Sequence, residues 1–512
     1  MDNRMRLFPG LALLSLVGAF GYQENKDVHQ PSSSTFYVSN TGDDSNPGTR
    51  EAPWRTIQHA ADTALPGNTI LVRGGLYAER LNVSVSGDAD RGYITLRSHP
   101  GETAILDGGN LVVPDGRSAM ISLQDRSYIR IEGFEVRNYR ISNRRCTPAG
   151  IFIRGEGSNI EILNNNVHHI EQNYPNKGGN AFGIAVYGTG GRVPISRLAI
   201  RGNEVHHLKT GSSESVVVNG NVTDFRIDHN VIHDNNNIGI DVIGHERTAP
   251  DPDVDRARDG VVSRNLIYNI TSRGNPAYGD EENSDGVYVD GGTHVLIEQN
   301  TIHNVDFGIE LASEHKDRTT SYVTARNNLI YACHTAGISI GGYDAERGIT
   351  EYCTIVNNTL YRNDTSNWGA GEFQMQYYMA GNVFKNNILV AGPHGLLTVS
   401  KSGRMQGKEP TVVMDYNLYF SPLRPDASIF GFDESSHTGF NNYVEATGND
   451  RHSRFADPRF VNPSADDFRL RGDSPAIHAG EDLGVGVLGE HDLGNALRIK
   501  GTSVDIGCYQ RQ

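Results

Sequence analysis

The chain has 512 residues, enough for two or three average domains or for one elongated repeat domain. Its 58 glycines, its 2 tryptophans and the scarcity of long apolar runs favour a turn-rich, all-β protein without a membrane span after the N-terminus. The formal net charge of −15 argues against a nucleic-acid partner and against capture of a polyanion by long-range attraction.

The N-terminus has the pattern of a secretory signal. Arg4 and Arg6 precede an apolar run over residues 7–20, and a small-x-small sequence that resembles a cleavage site follows at its end. We therefore predict a signal peptide over residues 1–21 and a polar leader over residues 22–35. A chain exported in this way is secreted or periplasmic.

An Asn-x-apolar-His/Tyr pattern then recurs at intervals of 27 to 38 residues. Such a repeat, rich in short β-patterned runs, is typical of a solenoid whose units bury their faces by stacking. Asparagine tolerates the left-handed backbone of tight turns, and stacked amides hydrogen-bond from coil to coil, so we predict a structural role. Histidines follow four of these asparagines at a fixed offset, which indicates stacking rather than metal binding. The asparagines are Asn165, Asn203, Asn230, Asn265, Asn300, Asn328, Asn358 and, with Val in the last place of the pattern, Asn387. The histidines are His168, His206, His233 and His303.

A second run recurs between those asparagines. Its second and fourth positions are nearly always apolar, whereas its third and fifth positions vary. This alternation predicts a strand with one buried face, so we expect positions three and five to face solvent. The runs start at Gly183, Ser215, Gly239, Gly286, Gly308, Gly337, Glu372 and Gly395.

Together these repeats resemble the right-handed parallel β-helix of the pectate-lyase-like superfamily, over about residues 36–508. The opening FYVSNTGDDSNPGTREAPWRTIQHAADTALPGNTILVRGGLYAE is similar to the N-terminal cap of such secreted proteins, with a short helix around residues 56–64. The segments DPRFVNPSADDFRLRGDSPAIHAG and DIGCYQ resemble their C-terminal end. The resemblance implies an all-β, single-stranded solenoid with a cap and first coils at 36–110, coils with active-site loops at 111–445, and C-terminal coils and a cap at 446–512.

Polar residues gather on the expected outer face of the middle coils. Asp290 and Glu310 lie on neighbouring coils, offset by two positions, so their backbones should be about 8 Å apart. Clustered carboxylates raise each other's proton affinity and indicate a ligand, a cation or a chemical task. We predict Asp290 and Glu310 as catalytic residues, with Asp241 as a third candidate. The predicted substrate-binding residues are Tyr288 and Gln374 on the strands, and His245, Glu246, Glu314, His315 and Asp344 just beyond them.

Three functions fit this pattern, all with a carbohydrate partner. A glycoside hydrolase needs one protonated carboxyl group and one carboxylate. The chain is similar to the β-helical family 120 β-xylosidases, and this resemblance implies that Asp290 and Glu310 occupy the positions of that family's Asp and Glu on neighbouring coils. A uronan lyase needs a base that removes the proton beside the substrate carboxyl group. The cap and coils resemble polysaccharide lyase family 9, but the strand GISIGG, which starts at Gly337, has Ser339 at the position where that family presents Lys. A non-catalytic carbohydrate-binding solenoid should display aromatic platforms. Because the paired acids are present, we favour the hydrolase.

The sequence also leaves two further points open, namely whether the protein binds a cation and whether its cysteines form a disulfide. The hydrolase hypothesis requires no cofactor, whereas the acidic run containing Asp280, Glu282 and Asp285 offers oxygen ligands for Ca²⁺. Cys333 and Cys353 lie in neighbouring repeats, where a disulfide or two buried thiols would suit an exported protein. The sequence leaves the glycan, the stereochemical outcome and the oligomeric state open.

Overall fold

The computed structural model describes residues 34–400, 412–422, 425–501 and 503–511. The predicted signal peptide and most of the predicted leader lie outside these residues. Every helix among the described residues is too short or too polar to cross a membrane.

The chain winds as a right-handed parallel β-helix, as predicted. Each complete coil contributes one strand to each of three sheets, which we number in the order in which the chain first enters them. In one coil, for example, Phe182–Gly188 lies in sheet 3, Ile195–Arg201 in sheet 1 and Glu204–His206 in sheet 2. Neighbouring strands in each sheet therefore come from successive coils and run parallel.

The strands of sheet 1 are Thr35–Val38, Thr69–Val72, Ile94–Ser98, Ile129–Glu132, Gly157–Leu163, Ile195–Arg201, Val222–Asp228, Arg258–Ser263, Thr293–Glu298, Thr324–Arg326, Thr354–Val356, Asn382–Lys385 and Val412–Asp415, with Thr319–Ser321, Ile349–Glu351 and Met379–Ala380 beside them. Those of sheet 2 are Gly75–Tyr77, Ala104–Asp107, Glu135–Arg137, Asn166–His168, Glu204–His206, Val231–Asn235, Leu266–Ile270, Thr301–Val305, Leu329–Tyr331, Thr359–Tyr361, Ile388–Val390, Leu418–Phe420 and Arg454–Phe455. Those of sheet 3 are Leu81–Val83, Gly116–Gln124, Cys146–Gly155, Phe182–Gly188, Val216–Gly220, Ile240–Ile243, Asp285–Asp290, Phe307–Ala312, Ala336–Ile340, Phe373–Met375, Leu396–Ser400, Ile429–Phe432 and, antiparallel to the last, Ser435–Thr438.

Few other elements interrupt this pattern. The predicted N-terminal helix spans Ile57–Thr63, and the Thr56 hydroxyl caps it by accepting the His59 N–H. Two further α-helices span Phe440–Thr447 and Val485–Leu488, and short 3₁₀ turns span Pro425–Ala427 and Pro463–Ala465. Small two-stranded sheets pair Arg140–Ile141 with Glu171–Gln172 and Phe460–Asn462 with Asp467–Leu470.

The interior of the coil is a continuous apolar core. Residues at position two of the repeated runs, such as Ile184, Ile240 and Ile309, are fully buried in it. Burial of this kind stabilises by about 25 cal/mol per Å² of apolar surface, and each coil contributes to it only through its neighbours. The alternation of apolar residues therefore accounts for the stacking of the coils.

The asparagines form the expected ladder along one turn. Each side-chain amide donates to the Oδ1 of the asparagine one coil further on, at 2.9–3.4 Å, from Asn165 to Asn417. The expectation that these residues adopt the left-handed conformation is wrong, because the residue before each one does so, as at Asn327 with φ 56°. That arrangement leaves the ladder side chains pointing inward, where each amide also donates to a backbone carbonyl group, as Asn165 does to Ile131 O.

The predicted ring stack is also present. His168, His206, His233, Tyr268, His303 and Tyr331 stack in order with ring centroids 4.8–5.3 Å apart. Burial lowers the pKa of His206 to about 4, so the ring is neutral and stacks without charge repulsion. All four cysteines are free and buried, so the thiol alternative holds.

One repeat differs from the predicted alignment. Gln374 pairs with Val399, not with Leu397, so the run that starts at Gly395 is displaced by two residues. A bulge between Leu396 and Thr398 in the pairing with the next strand breaks the alternation that the alignment assumes to be continuous.

Candidate active site

The residues at position three of the repeated runs form a column of mostly polar side chains on the outer side of sheet 3. Asp241 pairs with Tyr288, Tyr288 with Glu310, Glu310 with Ser339, and Ser339 with Gln374. Asp290 lies two residues beyond Tyr288 on the same strand. The repeat alignment thus brings the three predicted catalytic residues onto three consecutive coils.

The expectation that this column faces solvent is wrong. Asp241 is 3% exposed, Asp290 4%, Tyr288 5% and Glu310 8%. These side chains are nevertheless separate from the core inside the coil, and Tyr288 packs with Ile238 and Ala312 in a small buried apolar cluster of its own. Burial of so many carboxyl groups makes each of them harder to ionise.

Two insertions flank the column and are held by buried acids. Asp255 accepts the N–H groups of Arg247 and Ala249, which fixes the loop over residues 244–257. Asp306 accepts both N–H and hydroxyl hydrogen bonds from Ser272 and Ser284, and so closes the loop over residues 271–284. Both loops are thus fixed in place beside the column.

Glu310 lies in a hydrogen-bonded group that favours its ionised form. The Gln376 amide donates to Glu310 Oε1 at 2.9 Å and to Ser339 Oγ at 2.7 Å. Burial raises the pKa of Glu310 to about 7, with a further increase from the charge of Glu314, while hydrogen bonds from Asp285, Ser339 and Gln376 oppose the increase. Burial and the charge of Glu310 raise the pKa of Asp285 well above its usual range, so Asp285 is the protonated donor of this pair.

Asp290 belongs to a different group. Carboxylate oxygens of Asp290 and Glu246 and a ring nitrogen of His315 lie within 4.8 Å of one another. Burial, followed by the charge of Glu314, raises the pKa of Asp290 well above its usual range, although the Glu314 N–H donates to Asp290 Oδ1 at 2.7 Å. His315 Nε2 is buried without a hydrogen-bond partner. Two carboxylates and an imidazole are a ligand set that suits a divalent cation.

Two buried acids of this region were not predicted as catalytic. Glu214 lies near the charge of Glu246, its Oε2 is buried without a partner, and burial raises its pKa to about 8. Asp285 was considered only as a calcium ligand. Both residues immediately precede the first position of a repeated run, and this shared place is the signal that would have found them. Strict alternation, however, assigns them to the inward-facing side together with Val287, so the pattern does not indicate them as outward-facing acids.

The remaining predicted substrate-binding residues lie at the edge of the column. Glu246 accepts a hydrogen bond from Asn219 at 2.8 Å, and Glu314 is exposed. Burial lowers the pKa of His245 to about 4. Gln374 Oε1 accepts from Ser339 at 3.2 Å, so this residue joins the Glu310 group.

Asp344 lies outside these buried groups. It pairs with Arg347 at 3.5 Å, and the Arg347 guanidinium stacks over Tyr343.

The predicted calcium trio is not assembled. Asp280 is exposed, whereas Glu282 pairs with Arg273 at 3.2 Å and accepts a hydrogen bond from Trp368 at 2.7 Å. Asp285 is turned toward Glu310. The three acids therefore form no common ligand group among the described residues, because the loop that carries Glu282 folds toward Asp306 and His334.

Family comparisons agree with the fold. A profile described as "Pel9A-like, right handed beta helix region" matches residues 36–178, and one described as "Right handed beta helix region" matches residues 253–442. The uncharacterized protein YwoF of Bacillus subtilis (strain 168) is 38% identical over 464 residues, which cover 91% of this chain and 96% of YwoF. The pectate lyase PEL9 of Emericella nidulans is 35% identical over 127 residues, which span 24% of this chain and 31% of that enzyme.

Solved structures resemble the chain at low identity. XylC in complex with xylose matches with a TM-score of 0.48 and 12% identity, over 93% of this chain and 98% of that one. Pectate lyase Pel9A matches with a TM-score of 0.47 and 14% identity, over 94% and 98%. The GH136 lacto-N-biosidase from Eubacterium ramulus matches with a TM-score of 0.49 and 14% identity, over 75% and 67%.

Proposed function

The chain belongs to the same family as YwoF of Bacillus subtilis, and from the chemistry of its buried acids we propose that it is a carbohydrate-active enzyme, a glycoside hydrolase. From the pattern of its N-terminus we propose that it is secreted or periplasmic. The observation that carries the proposal is the set of buried carboxyl groups on consecutive coils. Burial raises the pKa of both Asp290 and Glu310, and side-chain hydrogen bonds oppose the increase at Glu310. Glycosidic cleavage needs one protonated and one ionised carboxyl group on opposite sides of the scissile bond.

The environments support a division of roles between Asp290 and Glu310. Asp290 is buried beside the charge of Glu314, which favours its protonated form, so we assign it proton donation to the leaving glycosidic oxygen. Glu310 accepts hydrogen bonds from Asp285 and Gln376, which favour its carboxylate. The Glu310 carboxylate then attacks the anomeric carbon or takes a proton from the attacking water. Asp241 remains the third candidate.

A uronan lyase is the alternative, and one observation favours it. The group formed by Glu246, Asp290 and His315 suits a cation that would neutralise a substrate carboxylate beside the proton to be removed. Tyr288 or His315 is the candidate base, because positions three and five of the repeated runs carry no Lys or Arg between residues 215 and 376. The match of the cap region to a Pel9A-like profile is consistent with this alternative.

Substitution of the two assigned acids tests the hydrolase proposal. Incubation with a panel of plant and bacterial polysaccharides should release reducing ends without ultraviolet absorbance from unsaturated uronate. On the substrate found, Glu310→Gln and Asp290→Asn should each lower the rate by about 10²–10⁴ while unfolding at or above the wild-type temperature, because neither change alters the packed volume. Glu445→Gln, an exposed change on the helix Phe440–Thr447, is the matched control.

Two results would contradict the proposal. Full activity of both variants would overturn the assignment of the acids. Products that absorb as unsaturated uronate, with activity lost on chelation, would replace the hydrolase by the lyase.

A further inference from the structure

A second polar groove lies on the outer side of sheet 3, in the coils before the buried acids. It has a volume of about 570 Å³ and is lined by the strands Leu81–Val83, Gly116–Gln124 and Cys146–Gly155. Its lining includes Arg80, Arg117 and Arg154 but no carboxylate. In a chain of net charge −15, a cavity with three cations and no acid is a local reversal of charge.

The three arginines are free to bind an anion. Among the described residues, none of them forms an ion pair with a carboxylate. Arg80 donates to the hydroxyl of Ser118 at 2.8 Å, which orients it at one end of the groove. All three side chains are exposed, so a ligand can reach them without rearrangement of the coil.

Arg117 is held by aromatic rings. Its guanidinium carbon lies 4.3 Å from the ring centroid of Tyr187, 4.8 Å from that of Phe152 and 5.2 Å from that of Phe182. Such contacts fix a guanidinium in place without using its hydrogen bonds, so its donors remain available to a ligand. Phe152 also lines the groove and offers an apolar surface to a sugar ring.

The groove and the buried acids share two columns of sheet 3. Phe152 pairs with Ala185, Ala185 with Val217, and Val217 with Asp241. Arg154 stands in the other column and pairs with Tyr187. Four coil spacings separate Arg154 from the coil of Asp290, a distance of about 19 Å. A ligand that reaches both is an oligosaccharide rather than a single sugar.

We propose that the groove of Arg80, Arg117 and Arg154 is a subsite for a negatively charged sugar unit of the same glycan that is cut at Asp290 and Glu310. The guanidinium fork matches the two oxygens of a uronate carboxylate and equally those of a sulfate ester, so the shared chemistry is an anionic oligosaccharide. The position of the cut rests on the proposed function, whereas the binding of the anion does not.

Binding measurements with matched probes test the subsite. In the Glu310→Gln background, which keeps the oligosaccharides intact, calorimetry would compare oligogalacturonate, the same oligomer after reduction of its carboxyl groups, and a sulfated derivative of that reduced oligomer. We expect an anionic probe to bind more tightly than the reduced one. Arg117→Gln and Arg154→Gln should each weaken that binding about 10- to 100-fold and leave the reduced probe unaffected.

The control is Arg471→Gln, which removes an exposed arginine from the C-terminal part of the chain and should change nothing. Preference for the carboxylate or for the sulfate probe identifies the anion. The proposal is overturned when neither anionic probe binds better than the reduced one, or when both groove variants bind them as tightly as the parent. If Asp290→Asn and Glu310→Gln retain activity while the groove variants lose anion binding, the subsite stands and the hydrolase assignment falls.

Discussion

Buried carboxyl groups are the residues that set this chain apart from a purely structural solenoid. Glu214, Asp241, Asp285, Asp290 and Glu310 are all buried within four neighbouring coils, where their charges repel. Asp241 Oδ1 and Glu214 Oε2 are buried without a hydrogen-bond partner, which costs about 1–3 kcal/mol for each group. A cost of this kind is tolerated where a ligand or a proton transfer uses the groups.

Glu214 should make the fold less stable at alkaline pH. Its pKa rises from 4.5 to about 8 on folding, so the native state holds the proton more tightly than the unfolded chain. The resulting stabilisation is complete below about pH 4.5 and is lost progressively as the pH rises through about 8. In Glu214→Gln, the free energy of unfolding should therefore fall less between pH 5 and pH 8 than in the wild type.

Denaturant unfolding at both pH values measures the difference, with Glu445→Gln expected to follow the wild type. Parallel pH profiles for Glu214→Gln and the wild type would show that Glu214 titrates normally in the native state.

Among the elements, the asparagine ladder ties successive coils together at one turn. Asn328 illustrates the bonding: its amide donates to Ile297 O and Asn358 Oδ1, and its Oδ1 accepts from the backbone and side chain of Asn300. These groups are buried, so water cannot replace a lost partner. The ladder therefore stabilises the junction between sheets 1 and 2.

Asn328→Ala should lower the free energy of unfolding by about 2–4 kcal/mol, because it leaves a buried N–H and a buried C=O without partners. Chemical denaturation of the variant measures the loss. Asn441→Ala, at an exposed position of the helix Phe440–Thr447, should be nearly neutral. Equal midpoints for the two variants would mean that the ladder contributes little.

Across the whole molecule, the C-terminal segment runs back along the stack and binds successive coils. The left-handed turn residues Asn327, Asn357 and Asn386 donate to carbonyl groups of Leu488, Asp505 and Glu481 respectively. Arg498 is fully buried in this contact and donates to Asn327 Oδ1 at 2.6 Å. A segment that joins distant coils makes the solenoid unfold more cooperatively than neighbour contacts alone would.

Arg498→Ala should lower the free energy of unfolding by about 2–4 kcal/mol and should loosen the C-terminal segment, because Asn327 loses its buried donor. Thermal unfolding and limited proteolysis of residues 480–511 would measure the two effects. Arg471→Ala removes an exposed arginine of the same region and should have neither. A wild-type melting temperature for Arg498→Ala would show that the segment is held by its other contacts.

The repeated patterns were sufficient to predict the solenoid, the ladder, the ring stack and the pairing of Asp241, Tyr288 and Glu310. Each of these depends on the same local sequence recurring in neighbouring coils, so spacing along the chain translates directly into distance in space. The burial of that column and the contacts of Arg498 could not be predicted in this way. They depend on how insertions of unequal length fold over the coils and on contacts between residues more than a hundred positions apart, for which the repeat carries no information.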